Sequence, residues 1–134
     1  RSYRSNFDIE NLVFTSRVHK DDRGVLIENL NYKAGSSSFI STINKNKVRG
    51  NHFHTIKIER FRFFGGNIDV TIRKLFDDKC YKFNFNSSLE NFIDIPTYFT
   101  HSIINNDSMP ALGVFSSIPR FKKNSPDTYQ ENVL

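Results

Sequence analysis

Residues 49–66 read RGNHFHTIKIERFRFFGG. The middle of this stretch is apolar and aromatic enough for a buried strand, yet it carries His52, His54 and Glu59 and closes on Gly65-Gly66. Side chains alternate faces along a strand, so His52 and His54 point the same way and Phe53 the other. Two imidazoles roughly 7 Å apart along a strand can share one metal ion. Glu59 has the wrong parity for a straight strand, and a bend at Thr55 to Lys57 would return it to the same side. Of the other histidines, His19 sits in a turn-like VHKDDRG, whereas His101 opens an apolar run after a proline turn in IDIPTYFTHSIIN. His101 could therefore close a site of three histidines and one carboxylate, a ligand set that suits Zn, Fe(II), Mn or Ni. The ligand set alone does not choose among them; zinc is the first of these expected, with iron, manganese or nickel as the alternatives. His19 is expected on the surface.

Outward from this stretch the texture is uniform. NLVFTSRV, GVLIENL, SSFISTI, IERFRFF, NIDVTIRKLF, CYKFNF, NFIDI, THSIIN and LGVFSS are short runs rich in β-branched and aromatic residues. Turn-forming segments such as KDDRG, KAGSS, GGN and NNDSMP separate them. Short strands at this spacing predict an all-β, antiparallel sandwich or barrel. In YKFNF, Tyr81, Phe83 and Phe85 share one face. A short helical turn is expected near SPDTYQENV, with Ser125 as cap and Pro126 in the first helical position. The 134 residues amount to one domain, 1–134, with the first ten expected as a loose arm. That length can bury a core without disulfides. The single Cys80 has no intramolecular partner and reads as a small core residue.

The net charge of +5 raises the question of nucleic acid. Lys and Arg are scattered among acids, with only short dense patches at NKNKVR and RFKKN, so the basic balance better suits a small anionic substrate. No apolar run reaches the roughly 18 residues of a membrane span and no leader pattern opens the chain. The expectation is a cytoplasmic protein with neither membrane nor nucleic acid as partner.

The order His52, His54, Glu59, Gly66, then Pro96, His101, Asn105 resembles the two-part signature of the cupin superfamily. The resemblance implies a jelly-roll barrel, the double-stranded β-helix, holding one divalent metal through His52, His54, Glu59 and His101. More narrowly, KDDRGVLIENL, RGNHFHTIKIERF, DIPTYFTHSI and NSPDTYQENV look like the C-terminal cupin of bacterial capsular-polysaccharide enzymes that epimerise and reduce UDP-linked 4-keto-6-deoxy amino sugars. DDRG…E followed by RGNH is also similar to the dTDP-4-keto-6-deoxyglucose 3,5-epimerases, in which the histidine matching His52 is the base and no metal is used. The resemblance implies C3 epimerisation by the cupin, substrate binding through Arg23, Glu28 and Arg49, and a homodimer. It also implies a short-chain reductase, fused or separate, because no dinucleotide fingerprint is present in this chain. Asn51 is expected to orient the site. Lys57 lies between the ligands, and its match in the capsular family is also lysine; it is the candidate base. This chain has Pro96-Thr97-Tyr98 where that family has Pro-Pro-Gly, which makes the Tyr98 phenol the candidate opposing acid. SSIPRFKKN likewise departs from the family's Trp-Ala-Asn-Glu pattern. A non-catalytic sugar-binding cupin and an Fe(II) dioxygenase would use the same ligand set.

Overall fold

The computed structural model describes residues 9–31, 35–86, 90–119, 122 and 124–134, and the first eight residues of the expected loose arm lie outside these. The described residues form eleven strands and a short 3-10 turn at Ile9–Asn11, with no α-helix among them. The strands are β1 (Val18–Asp21), β2 (Gly24–Asn31), β3 (Ser37–Ile43), β4 (Val48–Phe53), β5 (Ile58–Phe64) and β6 (Asn67–Lys74). There follow β7 (Cys80–Asn86), β8 (Phe92–Ile95), β9 (Phe99–Asn105), β10 (Ala111–Ile118) and β11 (Tyr129–Gln130). They make two antiparallel sheets, ordered β1-β2-β3-β10-β5-β8 and β11-β4-β9-β6-β7. This is the all-β, antiparallel jelly roll that the resemblance implies.

The alternation that marks each strand fills the space between the sheets. On β5, Phe61 and Phe63 turn inward; on β6, Ile68, Val70 and Ile72; on β9, Ile103; and on β10, Ala111 and Phe115. One inward row crosses the first sheet as Glu28, Phe39, Phe115, Phe61 and Ile93. Tyr81 and Phe83 share the face of Phe85 as expected, but only Phe85 is buried. Phe85 is the ring of the three that meets the core, 5.4 Å from Phe63 between centroids. Asn105 closes the far end of β9, where its buried amide donates to the Ile43 and Met109 carbonyls at 2.9 Å each.

Two expected elements differ. NLVFTSRV is not a strand until Val18: Leu12, Val13 and Phe14 are exposed, because pairing with β2 begins at Val18 opposite Ile27. The segment around SPDTYQENV is extended, not helical. Its Tyr129 and Gln130 pair with Phe53 and His52 of β4, and Tyr129 stacks on Phe53 with centroids 5.3 Å apart. Beyond it, Val133 is 2 % exposed, and the Arg73 guanidinium donates to the Val133 and Asn132 carbonyls at 2.8 and 2.7 Å. The tail thus gains strand pairing and apolar burial against the sheet, which a single isolated helical turn would forgo.

Candidate metal centre and substrate cavity

β4 does not run straight. Its pairing with β9 shifts between Gly50 and His52, and Gly50 and Asn51 both have left-handed φ, 99° and 57°. A β-bulge of this kind advances the face by one residue. Arg49 and His52, three apart, therefore both face the interior, which strict alternation would forbid. The Thr55-Ile56 bend then reverses the chain into β5, where Glu59 shares the inward face of Phe61 and Phe63. β9 delivers His101 directly opposite His52 in the ladder.

The result is convergence: His52, His54, Glu59 and His101 each offer one ligand atom, and these atoms all lie within 4.8 Å of one another. His54 Nε2 is 2.6 Å from Glu59 Oε1, and His101 Nε2 is 3.6 Å from the same oxygen. His101 is wedged edge-on between His52 and Phe61, at 4.7 and 5.3 Å between centroids. Its Nδ1 is buried and has no partner of hydrogen-bonding geometry.

The electrostatics follow from burial. Desolvation, with the neighbouring His101, lowers the His52 pKa to about 3. Desolvation likewise takes His101 to about 4, against the pull of Glu59. Burial by itself pushes Glu59 up, but the His54 hydrogen bond and the His101, His54 and Lys57 charges outweigh it and hold the carboxyl at about 2. A neutral His52 and His101 beside an ionised Glu59 match the protonation state that a divalent ion requires of its ligands. A second observation fits. His54 Nδ1 lies 2.7 Å from the Asp127 carbonyl, which can only accept, so Nδ1 carries a proton. Its Nε2 and the Glu59 oxygen are then two lone-pair atoms in contact unless a cation, a proton or a metal, stands between them. The donor set suits a divalent metal at this place.

The cluster lines a cavity of about 800 Å³. Arg17, Arg23 and Arg49, with His19, Asp21 and Glu28, supply its polar wall, and Leu26, Phe39, Phe61 and Phe115 are among its apolar side chains. Arg49 is 8 % exposed; its Nη2 donates to the Thr42 carbonyl at 3.2 Å and its Nε has no partner. Burial, and then Arg23, lower its pKa, with Asp21 opposing. Arg23 is held in place by Asp21, which accepts its Nε–H at 3.0 Å and its backbone N–H at 2.9 Å.

The expected site residues therefore divide. Arg23, Glu28, Arg49, His52, His54, Lys57, Glu59 and His101 all line the one cavity, whereas Asn51 and Tyr98 are not among its lining residues. The Asn51 side-chain oxygen accepts from the Val133 amide at 3.2 Å, tying the tail to the bulge. Tyr98, half exposed at a left-handed φ of 63°, donates its amide to the His54 carbonyl at 2.8 Å. Its backbone, not its phenol, reaches the site. His19 is exposed as expected but has a partner, Glu28 at 3.2 Å, on the cavity wall. Arg17, Asp21 and Asp127 carried no expected role: DDRG pointed to a turn and, by resemblance, to Arg23, and SPDTY to a helical turn and a segment of the resemblance. Cys80 is partly buried at the sheet edge, near the Val133 carbonyl.

Comparison with known proteins agrees with this architecture. The model of the family described as "Polysaccharide biosynthesis C-terminal domain" matches residues 19–129. The chain is 23% identical over 132 residues to the UDP-2-acetamido-2,6-beta-L-arabino-hexul-4-ose reductase of Pseudomonas aeruginosa, covering 98% of this chain and 36% of that protein. The crystal structure of the capsular polysaccharide assembling protein CapF from Staphylococcus aureus superposes with a TM-score of 0.87 at 26% identity, over 98% of this chain and 36% of CapF. The oxalate decarboxylase of Bacillus subtilis matches with a TM-score of 0.70 at 16% identity, over 92% of this chain and 31% of that one, and shows the cupin fold alone. The chain thus spans about a third of the length of these relatives. The match over 19–129, together with the jelly roll and its inward histidines, places the chain in the family of polysaccharide-biosynthesis C-terminal domains, as a cupin.

Proposed function

We propose that this domain is a metal-dependent epimerase acting on a nucleotide-linked 4-keto-6-deoxy sugar, UDP- or dTDP-linked, in the synthesis of a surface polysaccharide. The observation that carries the proposal is the sharing of one cavity by the four-residue cluster and three arginines. A carbonyl can meet the cluster while a diphosphate meets the guanidinium groups, whose planar forks suit it. The names of the relatives support the substrate class: one is a reductase of a UDP-linked hexul-4-ose, the other a capsular polysaccharide assembling protein.

A 4-keto sugar has acidic C–H bonds on the carbons beside the carbonyl. Epimerisation takes one such proton and returns it to the opposite face, and the barrier lies in the charge that builds on the carbonyl oxygen. His52, His54, Glu59 and His101 would hold a divalent ion, zinc in this proposal, which when bound would supply Lewis-acid stabilisation of that charge. Lys57, buried on the cavity wall, is the proposed base: its amine accepts the proton from carbon. The returning proton has to come from a second group on the wall. His19, hydrogen-bonded to Glu28, is such a group. Tyr98, which does not line the cavity, is not used here. Arg23, Arg49 and Glu28 hold the nucleotide end.

A second reading rests on His52. It lines the cavity, and its match in the dTDP-4-keto-6-deoxyglucose 3,5-epimerases is the base without a metal; the desolvation that lowers its pKa weakens it in that role. Incubation with a UDP-4-keto-6-deoxy sugar in D2O separates the alternatives. Deuterium entering beside the carbonyl, lost on chelation and restored by zinc, supports the first reading; exchange that survives chelation supports the second. No exchange with any keto sugar tried would leave a sugar-binding cupin, and oxygen uptake with bound iron would mark a dioxygenase. A reductase acting on the epimerised ketone, fused or separate, and a homodimer complete the proposal. In support of the dimer, Phe64 and Leu112 stand side by side, each 38% exposed, across β5 and β10.

A further inference from the structure

The turn between two of the candidate ligands is held from the far end of the chain. Asp127 Oδ1 accepts the Thr55 amide at 3.1 Å and the Thr55 hydroxyl at 2.6 Å. Asp127 Oδ2 accepts the amides of Ile56 and Lys57 at 2.8 and 3.0 Å. Three successive N–H groups thus converge on one carboxylate, an arrangement that fixes the backbone between His54 and Glu59. The same residue acts a second time through its backbone, since its carbonyl accepts His54 Nδ1–H at 2.7 Å. Asp127 presents both groups to one segment because its φ is 52°, a left-handed conformation that Asp and Asn tolerate better than most residues. It is itself anchored by the pairing of Tyr129 and Gln130 with β4 and by the burial of Val133.

We infer that Asp127 is a positioning residue of the metal centre: its carbonyl selects the His54 tautomer that aims Nε2 at the cluster, and its carboxylate sets the spacing of His54 from Glu59. This rests on the proposed metal site, and it assigns to the C-terminal tail a part in ligand geometry beyond its part in packing. Outer-shell acceptors of this kind orient metal-bound histidines and raise their basicity.

The test compares wild type, Asp127→Ala and Asp127→Asn, each metal-free and titrated with zinc against a chromophoric chelator. In the metal-free wild type, the ¹⁵N spectrum is expected to show the His54 proton on Nδ1. Asn keeps the left-handed backbone and the carbonyl but sets an NH2 against the turn amides. Asp127→Asn should therefore retain the tautomer and the β-sheet circular dichroism spectrum while binding zinc about 10- to 100-fold more weakly. Ala disfavours the left-handed backbone as well, so Asp127→Ala should lose the tautomer preference and bind at least as weakly. Zinc affinity within twofold of wild type in folded Asp127→Asn overturns the inference, as does a wild-type His54 with no proton on Nδ1. A wild type that binds no zinc overturns the metal reading instead, and the tautomer measurement then decides the role of Asp127 alone. Should Asp127→Ala fail to fold, Asp127→Asn and the wild-type spectrum still decide.

Discussion

Glu59 Oε1 is the atom on which the cluster turns, 2.6 Å from one imidazole nitrogen and 3.6 Å from another. The spacing H-x-H followed by Glu suggested this meeting, and the third histidine was reachable by elimination, since His19 lay in a turn. His101→Ala is expected to cut bound metal from about one ion per chain to nearly none, by elemental analysis after dialysis; full stoichiometry would remove His101 from the ligand set. Acid sensitivity belongs at the same scale. His52 and His101 have folded pKa values of about 3 and 4, below their ordinary 6.5, so the folded chain binds fewer protons than the unfolded one. Their contribution to stability is complete above about pH 6.5 and is lost as pH falls from there toward those values; that of Glu59 is lost between about 4.5 and 2. Each titrating group contributes a slope of at most about 1.4 kcal/mol per pH unit. The urea midpoint of the chelator-treated chain should therefore be lower at pH 5.5 than at pH 7.5, and an equal or higher midpoint at pH 5.5 contradicts the assignment.

At the scale of elements, the bulge in β4 decides what the cavity contains. It is what lets Arg49 and His52 face inward together, and a Cβ at Gly50 would lie 2.5 Å from the His101 carbonyl oxygen on a backbone of φ 99°. Gly50→Ala should lower stability by about 2 kcal/mol or more, from strain and displacement of β9, and should weaken metal binding with it. Denaturant melts and the zinc titration check both. β3 and β5 could be read from the sequence to the residue: β5 because its alternation coincides with burial of one face, and β3 because turn-forming segments bound it on both sides. The bulge was not legible, since nothing in RGN distinguishes a shifted ladder from a straight one. Residues 11–17 and 125–130 misled for a related reason: their apolar and capping patterns are local, while the outcome was set by whether a neighbouring strand was there to pair with. Asp127 was invisible on the same ground, its partners lying 70 or more residues away.

For the whole molecule, the excess of basic residues has a destination in the arginines of the cavity wall. Arg49 is a buried cation with an unpartnered Nε, an arrangement that costs stability in the free protein and is useful only to an anion. Arg49→Met is therefore expected to raise the melting temperature by a few degrees while raising the KM for the nucleotide sugar about 10-fold or more, with metal content unchanged. A lower melting temperature with unaltered KM would make Arg49 a structural residue. Among the described residues no helix is long and apolar enough to cross a membrane.

The tail that ties Asp127 and Val133 to β4 is made after every one of the four ligands, so maturation of this domain has a direction. Ribosomes must pass Val133 before the histidines settle into their final aim, and an ion offered sooner meets a looser nest. On the proposed metal reading, loading is a finishing step: nascent chains stalled short of residue 127 are expected to capture radioactive zinc poorly beside released full-length protein, however much of the ion the translation mixture contains.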